Sequence, residues 1–285
     1  MGAGQRLQAK YGIFSVETIL EKRNISIAGR DFCLSGDPND HYFNTLPKVY
    51  SDHEALFSIL NKHRFDPHVI LDVGASLGLF TLGANVIFPS ARIFCYEPHK
   101  IAYDSLVTNT KAVADKVNTA NCALGCEEGS MYFHPGGPII SNRSSGAHLM
   151  NESHWKSDYS GIRVSVSTLD AQIIAHSIDR VDLLKVDVEG FELDVLQGET
   201  ALIEAFSPLI HLEFNSWALV VLKNINPRTF IDYLGEHFSY VYRCNKDATL
   251  TRLVTGEDHI RFLHDNLIAH GCVDDLFVSN TDYLG

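Results

Sequence analysis

Lys185, Asp187, Glu189 and Glu192 crowd into the run VDLLKVDVEGFELDVLQG, residues 181–198. Val181 to Val186 has the apolar composition of a buried strand, yet buried lysines and clustered acids are costly. The charges therefore belong at the rim of a sheet, where they can act on a ligand. Asp187 and Glu189 directly follow the strand, and Glu213 ends the next one, with His211 two residues earlier on the same face. Carboxylates so placed can take a proton from a weakly acidic hydroxyl. Asp187 is the first choice for a base or orienting group; an N-cap of a helix starting near Gly190 is the simpler alternative. Glu189 could meet substrate or merely favour the helix dipole. Lys185 reads as a partly buried lysine paired with one of these acids, or as a direct substrate contact. Glu192 and Asp194 read as solvated helix positions, and His211 as a core histidine. Asp187, Glu189 and Glu213 are hard oxygen ligands, but their spacing is not a metal motif, and no metal is expected.

A second constellation lies upstream. LDVGASLGLFTLGA places Asp72, Gly74, Ala75, Ser76 and Gly78 across a strand-to-helix turn, and the next strand ends in YEPH, with Glu97 and Pro98. Glycines in such a turn let the backbone approach a ligand. An acid after the second strand can accept both hydroxyls of a ribose. A dinucleotide site would want glycine at Ser76 and a small residue at Leu79, to cradle a pyrophosphate. A sulfonium with an amino-acid tail needs neither, and Asp72 could meet its cationic amino group. S-Adenosylmethionine is thus the expected cofactor. An NAD-dependent oxidoreductase and a catalytically silent cofactor-binding partner remain the alternatives.

The elements that must position these groups alternate. Strands are expected at 69–73, 91–97, 117–124, 181–187, 208–214 and 238–243, with a last one at 275–279. Helices are expected near 77–88, 99–114, 190–204 and 226–236. This rhythm specifies an α/β fold with a mostly parallel, doubly wound sheet, whose ligands bind beyond the carboxyl ends of the strands. Residues 1–66 form an N-terminal extension: a hairpin-like piece around Gly29 and a helix opened by Ser51, with Glu54 at the capping-box position. Residues 67–285 form the main domain, interrupted around 130–167 by two strand-like pieces and a polar loop. His148 or Asn142 of that loop could touch an acceptor, though surface roles suit them, His134 and His154 better.

Composition narrows the partners. The chain has 285 residues and a formal net charge of −12, which argues against nucleic acid and an anionic membrane surface. An acidic protein also tends to repel anionic substrates, which favours neutral small molecules or glycans. The six cysteines are dispersed and read as reduced structural thiols. Cys122 and Cys126 lack the second pair that a zinc site would want. MGAGQRLQAKYGIFSVETIL has no signal-peptide pattern, and Arg6 stands where myristoylation wants Ser or Thr. The expectation is a cytoplasmic enzyme; a homo-oligomer joined through the N-terminal segment stays open.

From about Val69 to Asn215 the chain resembles the FkbM-type S-adenosylmethionine-dependent methyltransferases. The residues that carry the resemblance are LDVGASLGLFT, FCYEPH, the ALG of NCALG, STLD (167–170), LLKVDVEGFELDVLQG and PLIHLEF. It implies a Rossmann-like class I methyltransferase sheet and methylation of a hydroxyl on a sugar, glycan or natural product. By position it implies that Asp72, Gly74, Ala75, Gly78 and Glu97 bind the cofactor, with Ala123 and Cys122 beside the adenine. Ser76 stands where this family often has Asn.

Overall fold

The computed structural model describes residues 19–134, 148–150, 161–198 and 200–285. A hairpin of β1 (Glu21–Ile27) and β2 (Arg30–Gly36) leads into α1 (His41–Asn44) and α2 (Leu46–Lys62). The alternation then begins: β3 (Val69–Val73), α3 (Leu79–Ile87), β4 (Arg92–Tyr96), α4 (Lys100–Thr110) and β5 (Val117–Ala120). Next come β6 (Ala123–Leu124), β7 (Gly129–His134), β8 (His148–Met150), β9 (Ile162–Ser167) and α5 (Leu169–Ala175). The second run of alternation is β10 (Leu183–Val186), α6 (Glu192–Gln197), α7 (Thr200–Phe206), β11 (Leu209–Asn215), α8 (Ser216–Val221) and α9 (Pro227–His237). The chain ends in β12 (Tyr240–Cys244), β13 (Leu250–Arg252), α10 (Gly256–Ile268) and β14 (Val273–Ser279).

The main sheet runs β13-β12-β14-β11-β10-β3-β4-β5. Its five strands from β11 to β5 are parallel, and β14 inserts antiparallel between β11 and β12. The chain leaves β3 toward β4 and β5, then returns to β10 on the other side. The switch point of this doubly wound sheet therefore lies between β3 and β10, where a ligand crevice is expected. The expected fold class is the one that forms.

Each face of the sheet has its own core. Leu71, Val73, Leu184, Val186 and Leu212 pack on one side with α6, α7, α9 and α10. Ile70, Ile93, Leu183, Leu209 and Phe277 pack on the other with α2 and α3. Helix α2 is thus part of the main core, through Leu56, Phe57, Ile59 and Leu60. Asn109 of α4 ties the hairpin to the glycine turn. Its Nδ2 donates to Ser35 O (3.0 Å) and Leu77 O (2.9 Å), and its Oδ1 accepts from Ser35 N (2.7 Å).

Several boundaries differ from expectation, for local reasons. Helix α2 starts at Leu46, because Pro47 in its first turn has no N–H to lose there. Ser51 lies inside the helix and bonds Lys48 O at 2.6 Å instead of capping it. The expected helix 190–204 is two helices, broken at Gly198, where a Cβ would stand 2.2 Å from Gly125 O. The glycines of NCALG and VLQG are therefore packing partners. VNTANCAL splits between sheets: β5 joins the main one, whereas β6 opens a second, ordered β6-β9-β7-β8. That second sheet packs Phe133, Leu149, Val164 and Val166 against Phe191 and Val188. Asn142 and His154 lie outside the described residues, as does the side chain of His148. Helix α10, not anticipated, opens with a capping box of Thr255 and Asp258. Among the described residues, no helix is long and apolar enough to cross a membrane.

Candidate active site

Strand register builds the site. Cys95, Asp72, Lys185, His211, Phe277 and Tyr242 are lateral neighbours across β4, β3, β10, β11, β14 and β12. Side chains alternate along a strand, so the same face at the sheet rim carries Glu97, Gly74, Asp187, Glu213 and Asp275. The register pairs Glu213 directly with Asp275. Both constellations read from the sequence thus meet along one edge.

On the β3 side, Gly74 and Ala75 N–H donate to Tyr96 O at 3.0 and 3.1 Å. Gly74 has φ +78°, and a Cβ there would stand 1.9 Å from Asp187 O. Ser76 is left-handed as well (φ 49°), an uncommon conformation for a residue other than glycine. Ser76 N–H donates to Glu97 Oε2 (2.9 Å) and His99 N–H to Glu97 Oε1 (2.8 Å). Burial pushes the Glu97 carboxyl up to about 7, against these two donors and Lys185. Each Glu97 oxygen keeps a further lone pair, so a ribose diol can add to it. Asn121 Nδ2 holds the main chain here, donating to Glu97 O (2.8 Å) and Pro98 O (3.1 Å). Gly78 caps α3 in a left-handed conformation (φ +92°). Cys122 and Ala123 are buried just past β5, and burial pushes the Cys122 thiol up to about 11.

Lys185 joins the two halves. Its Nζ lies 3.3 Å from Asp72 Oδ1, 3.4 Å from Asp187 Oδ2 and 3.2 Å from Gly74 O. Burial alone would lower its pKa, but Asp187 and Asp72 reverse that and raise it, so the ammonium keeps its charge. Asp72 is fully buried, and its Oδ2 accepts from Thr81 Oγ1 at 2.6 Å. The expected contact between Asp72 and a cofactor amino group is thus corrected: Asp72 faces Lys185 and Thr81 beneath the turn, not the cleft. Asp187, by contrast, is one-third exposed. It caps no helix, since α6 starts at Glu192 behind Phe191.

The turn after β10 is shaped by Glu192, which is buried rather than solvated. Its Oε1 accepts from Val188 N–H (3.0 Å) and Gly190 N–H (3.2 Å), while Glu189 and Gly190 are left-handed. Burial pushes Glu192 up to about 7. Glu213 is raised well above the usual carboxylate range by burial and then by Asp187, Glu189, Glu192 and Asp275. Burial would also raise Asp275, but His211, His53 and Lys185 outweigh it and hold it low. His211 Nε2 is 3.2 Å from Asp275 Oδ1, an ion-pair distance without hydrogen-bond alignment. Asp194, on the far side of α6, pairs with Lys223 at 3.0 Å. Among the described residues, no cluster of His, Cys, Asp or Glu is arranged to hold a metal.

Tyr42, His53 and Asp275 are the residues that motif reading missed. Tyr42 is raised by burial and then by Asp187, Asp72, Asp40 and Glu97, so the charge of both constellations is felt at its phenol. Asp40 Oδ1 accepts from Tyr42 N–H at 2.9 Å and starts the short helix that carries it. Its D-x-Y cap was a signal for a local turn, but nothing local pointed to this site.

The family model described as Methyltransferase FkbM domain matches residues 72–246. The chain is 30% identical to Methyltransferase 1 of Beauveria bassiana, covering 47% of this chain and 59% of that protein. It is 27% identical to the hexuronic acid methyltransferase AglP of Haloferax volcanii, covering 54% and 59%. It is 30% identical to the 2-O-methyltransferase NoeI of Sinorhizobium fredii, covering 51% and 62%. The match thus spans about three-fifths of the length of each of these relatives.

Lys185→Met removes the cation and leaves the Asp72 carboxyl buried and unpaired. The expected loss of stability is roughly 3–5 kcal/mol, the range for breaking a buried pair from one side. Adding Asp72→Asn should recover part of it. Urea unfolding of the two variants checks both; a single variant as stable as wild type would remove the pair from its structural role.

Proposed function

From membership of the FkbM methyltransferase domain family, to which this chain belongs, we propose that it transfers a methyl group from S-adenosylmethionine to a hydroxyl oxygen of a sugar, glycan or natural-product acceptor. The observation that carries this reading is the Glu97 carboxyl, braced by Ser76 and His99 N–H at the switch point, with Asp187 across the Gly74 turn. The donor set fits the cofactor: Glu97 has lone pairs for a ribose diol, and the turn has no pyrophosphate cradle. Ala75, Ser76, Gly78 and Pro98 would line the cofactor, with Cys122 and Ala123 beside its adenine.

When bound, S-adenosylmethionine supplies a methyl group on an electrophilic sulfonium. The protein must align the acceptor oxygen with that carbon and receive the hydroxyl proton as the new C–O bond forms. Asp187 is placed for the proton: it is open to the cleft, and Lys185 fixes its orientation from below. Burial and the neighbouring acids raise the Glu213 carboxyl, which would meet the acceptor as a hydrogen-bonding partner beside Asp187. Glu189, in the left-handed turn beside it, is placed to bound the acceptor side. AglP is named for a hexuronic acid, but Asp187 and Asp275 on the same rim support an uncharged acceptor here, since a carboxylate would face like charge.

Calorimetry with S-adenosylhomocysteine across pH tests the cofactor. Ribose hydroxyls donate to the ionised Glu97, so binding lowers its pKa from about 7 and releases a proton below that pH. Affinity should be flat above pH 8 and weaken by up to about tenfold per unit below 7. Glu97→Gln should bind weakly with no such slope. Tight binding of NAD, with none of the thioether, would overturn the function. Asp187→Asn should cut turnover at least about a hundredfold and leave thioether affinity within about twofold. Turnover at the wild-type rate would remove Asp187 from proton transfer.

A further inference from the structure

We propose that His53, on helix α2, touches the acceptor and orients its hydroxyl toward Asp187 as a hydrogen-bonding group. The inference rests on the methyltransferase reading above. His53 lies outside the family match at 72–246, as does Asp275, so its role is a feature of this chain's own N-terminal helix.

The ring is held in place by packing. It meets Phe80 edge-on, with centroids 5.7 Å apart and planes at 78°, and Phe80 stacks on Phe57 at 5.2 Å. Yet Nδ1 is buried with no hydrogen-bond partner among the described residues. An orphaned buried nitrogen costs about 1–3 kcal/mol, and such groups in a native fold need an explanation. Phe80 links the ring to the site, since Lys185 Nζ lies 5.8 Å from the Phe80 centroid. The charges felt at the imidazole are those of Lys185 and Asp187 at the end of β10, His211 on β11 and Asp275 on β14. On its own helix, Asp52 and Glu54 point to solvent. Burial and Lys185 hold the imidazole down to about 3, against the pull of Asp187 and Asp275, so the ring stays neutral through the physiological range.

A neutral imidazole offers one donor and one acceptor. That is what an acceptor hydroxyl needs beside a carboxylate base: one group to take its proton and another to set its direction. The reaction breaks the O–H and S–CH3 bonds, forms the C–O bond and delivers the proton to Asp187. His53 changes neither charge nor proton count. A structural histidine would need only its ring, which is where the two roles separate.

The test compares His53→Phe, which keeps the aromatic packing on Phe80, with His53→Gln, which keeps hydrogen bonding. Label transfer is measured from tritiated-methyl S-adenosylmethionine to the small-molecule and glycan extract that wild type labels. His53→Phe should lose at least about tenfold in transfer, the loss of one directional hydrogen bond. Its affinity for S-adenosylhomocysteine should stay at the wild-type value, and its melting temperature should not fall, since the orphaned nitrogen is gone. His53→Gln should regain part of the transfer with the pH profile of wild type. Undiminished transfer by His53→Phe would overturn the proposal, as would loss of thioether binding in both variants. Wild-type protein that labels nothing would instead sink the function, and this inference with it.

Discussion

A single ammonium group holds this site together. Lys185 Nζ sits within 3.4 Å of Asp72, Asp187 and the Gly74 carbonyl, at the point where the two halves of the sheet diverge. Each contact belongs to a different part of the site: the interior of β3, the open end of β10 and the cofactor turn. Gly74 then closes so far onto Asp187 O that no side chain fits between them. Glycine turn and strand-end carboxylate are thereby one rigid unit, which is what the proposed in-line transfer would require, because misplacement of the reacting atoms is costly. The buried pair is weak as a source of stability, since desolvating both ions offsets most of their attraction. Its value is positional.

The acids around this unit carry a stability cost with a definite sign. Glu97 and Glu192 titrate near 7 in the folded chain, against an ordinary value of 4.5. A carboxyl raised on folding favours the native state below its unfolded value and costs stability as pH rises toward 7. Both are nonetheless given work in the fold: Glu97 braces the glycine turn, and Glu192 shapes the turn after β10. A ligand that donates hydrogen bonds to Glu97 would relieve part of that cost.

Much of this was legible in the residues. The run LLKVDVEG announces a strand with chemistry at its end, and YEPH puts a carboxylate one strand away, because both patterns are local. The mostly parallel, doubly wound class followed from the alternation of strands with helices. What stayed hidden depends on contacts distant in sequence. Glu192 read as solvated because a helix was expected from 190; once the turn runs to 191, its side chain folds back under Val188 and Gly190. Asp72 read as a ligand contact because nothing in LDVGA reveals that Lys185, in a strand far along the chain, covers it. His53 and Asp275 lie on an ordinary amphipathic helix and a final strand; the insertion of β14 beside β11 brings Asp275 to the site, and packing of α2 on Phe80 brings His53. Ser51 and Glu54 mimicked a helix start that Pro47 had already supplied.

The most direct measurement is an experimental structure with S-adenosylhomocysteine bound. The expected result is a ribose diol on Glu97 Oε1 and Oε2, the thioether sulfur over the Gly74 turn facing Asp187, and Lys185 still on Asp72. A thioether bound away from Glu97, or a cleft that stays closed to it at saturating concentration, would contradict the site described.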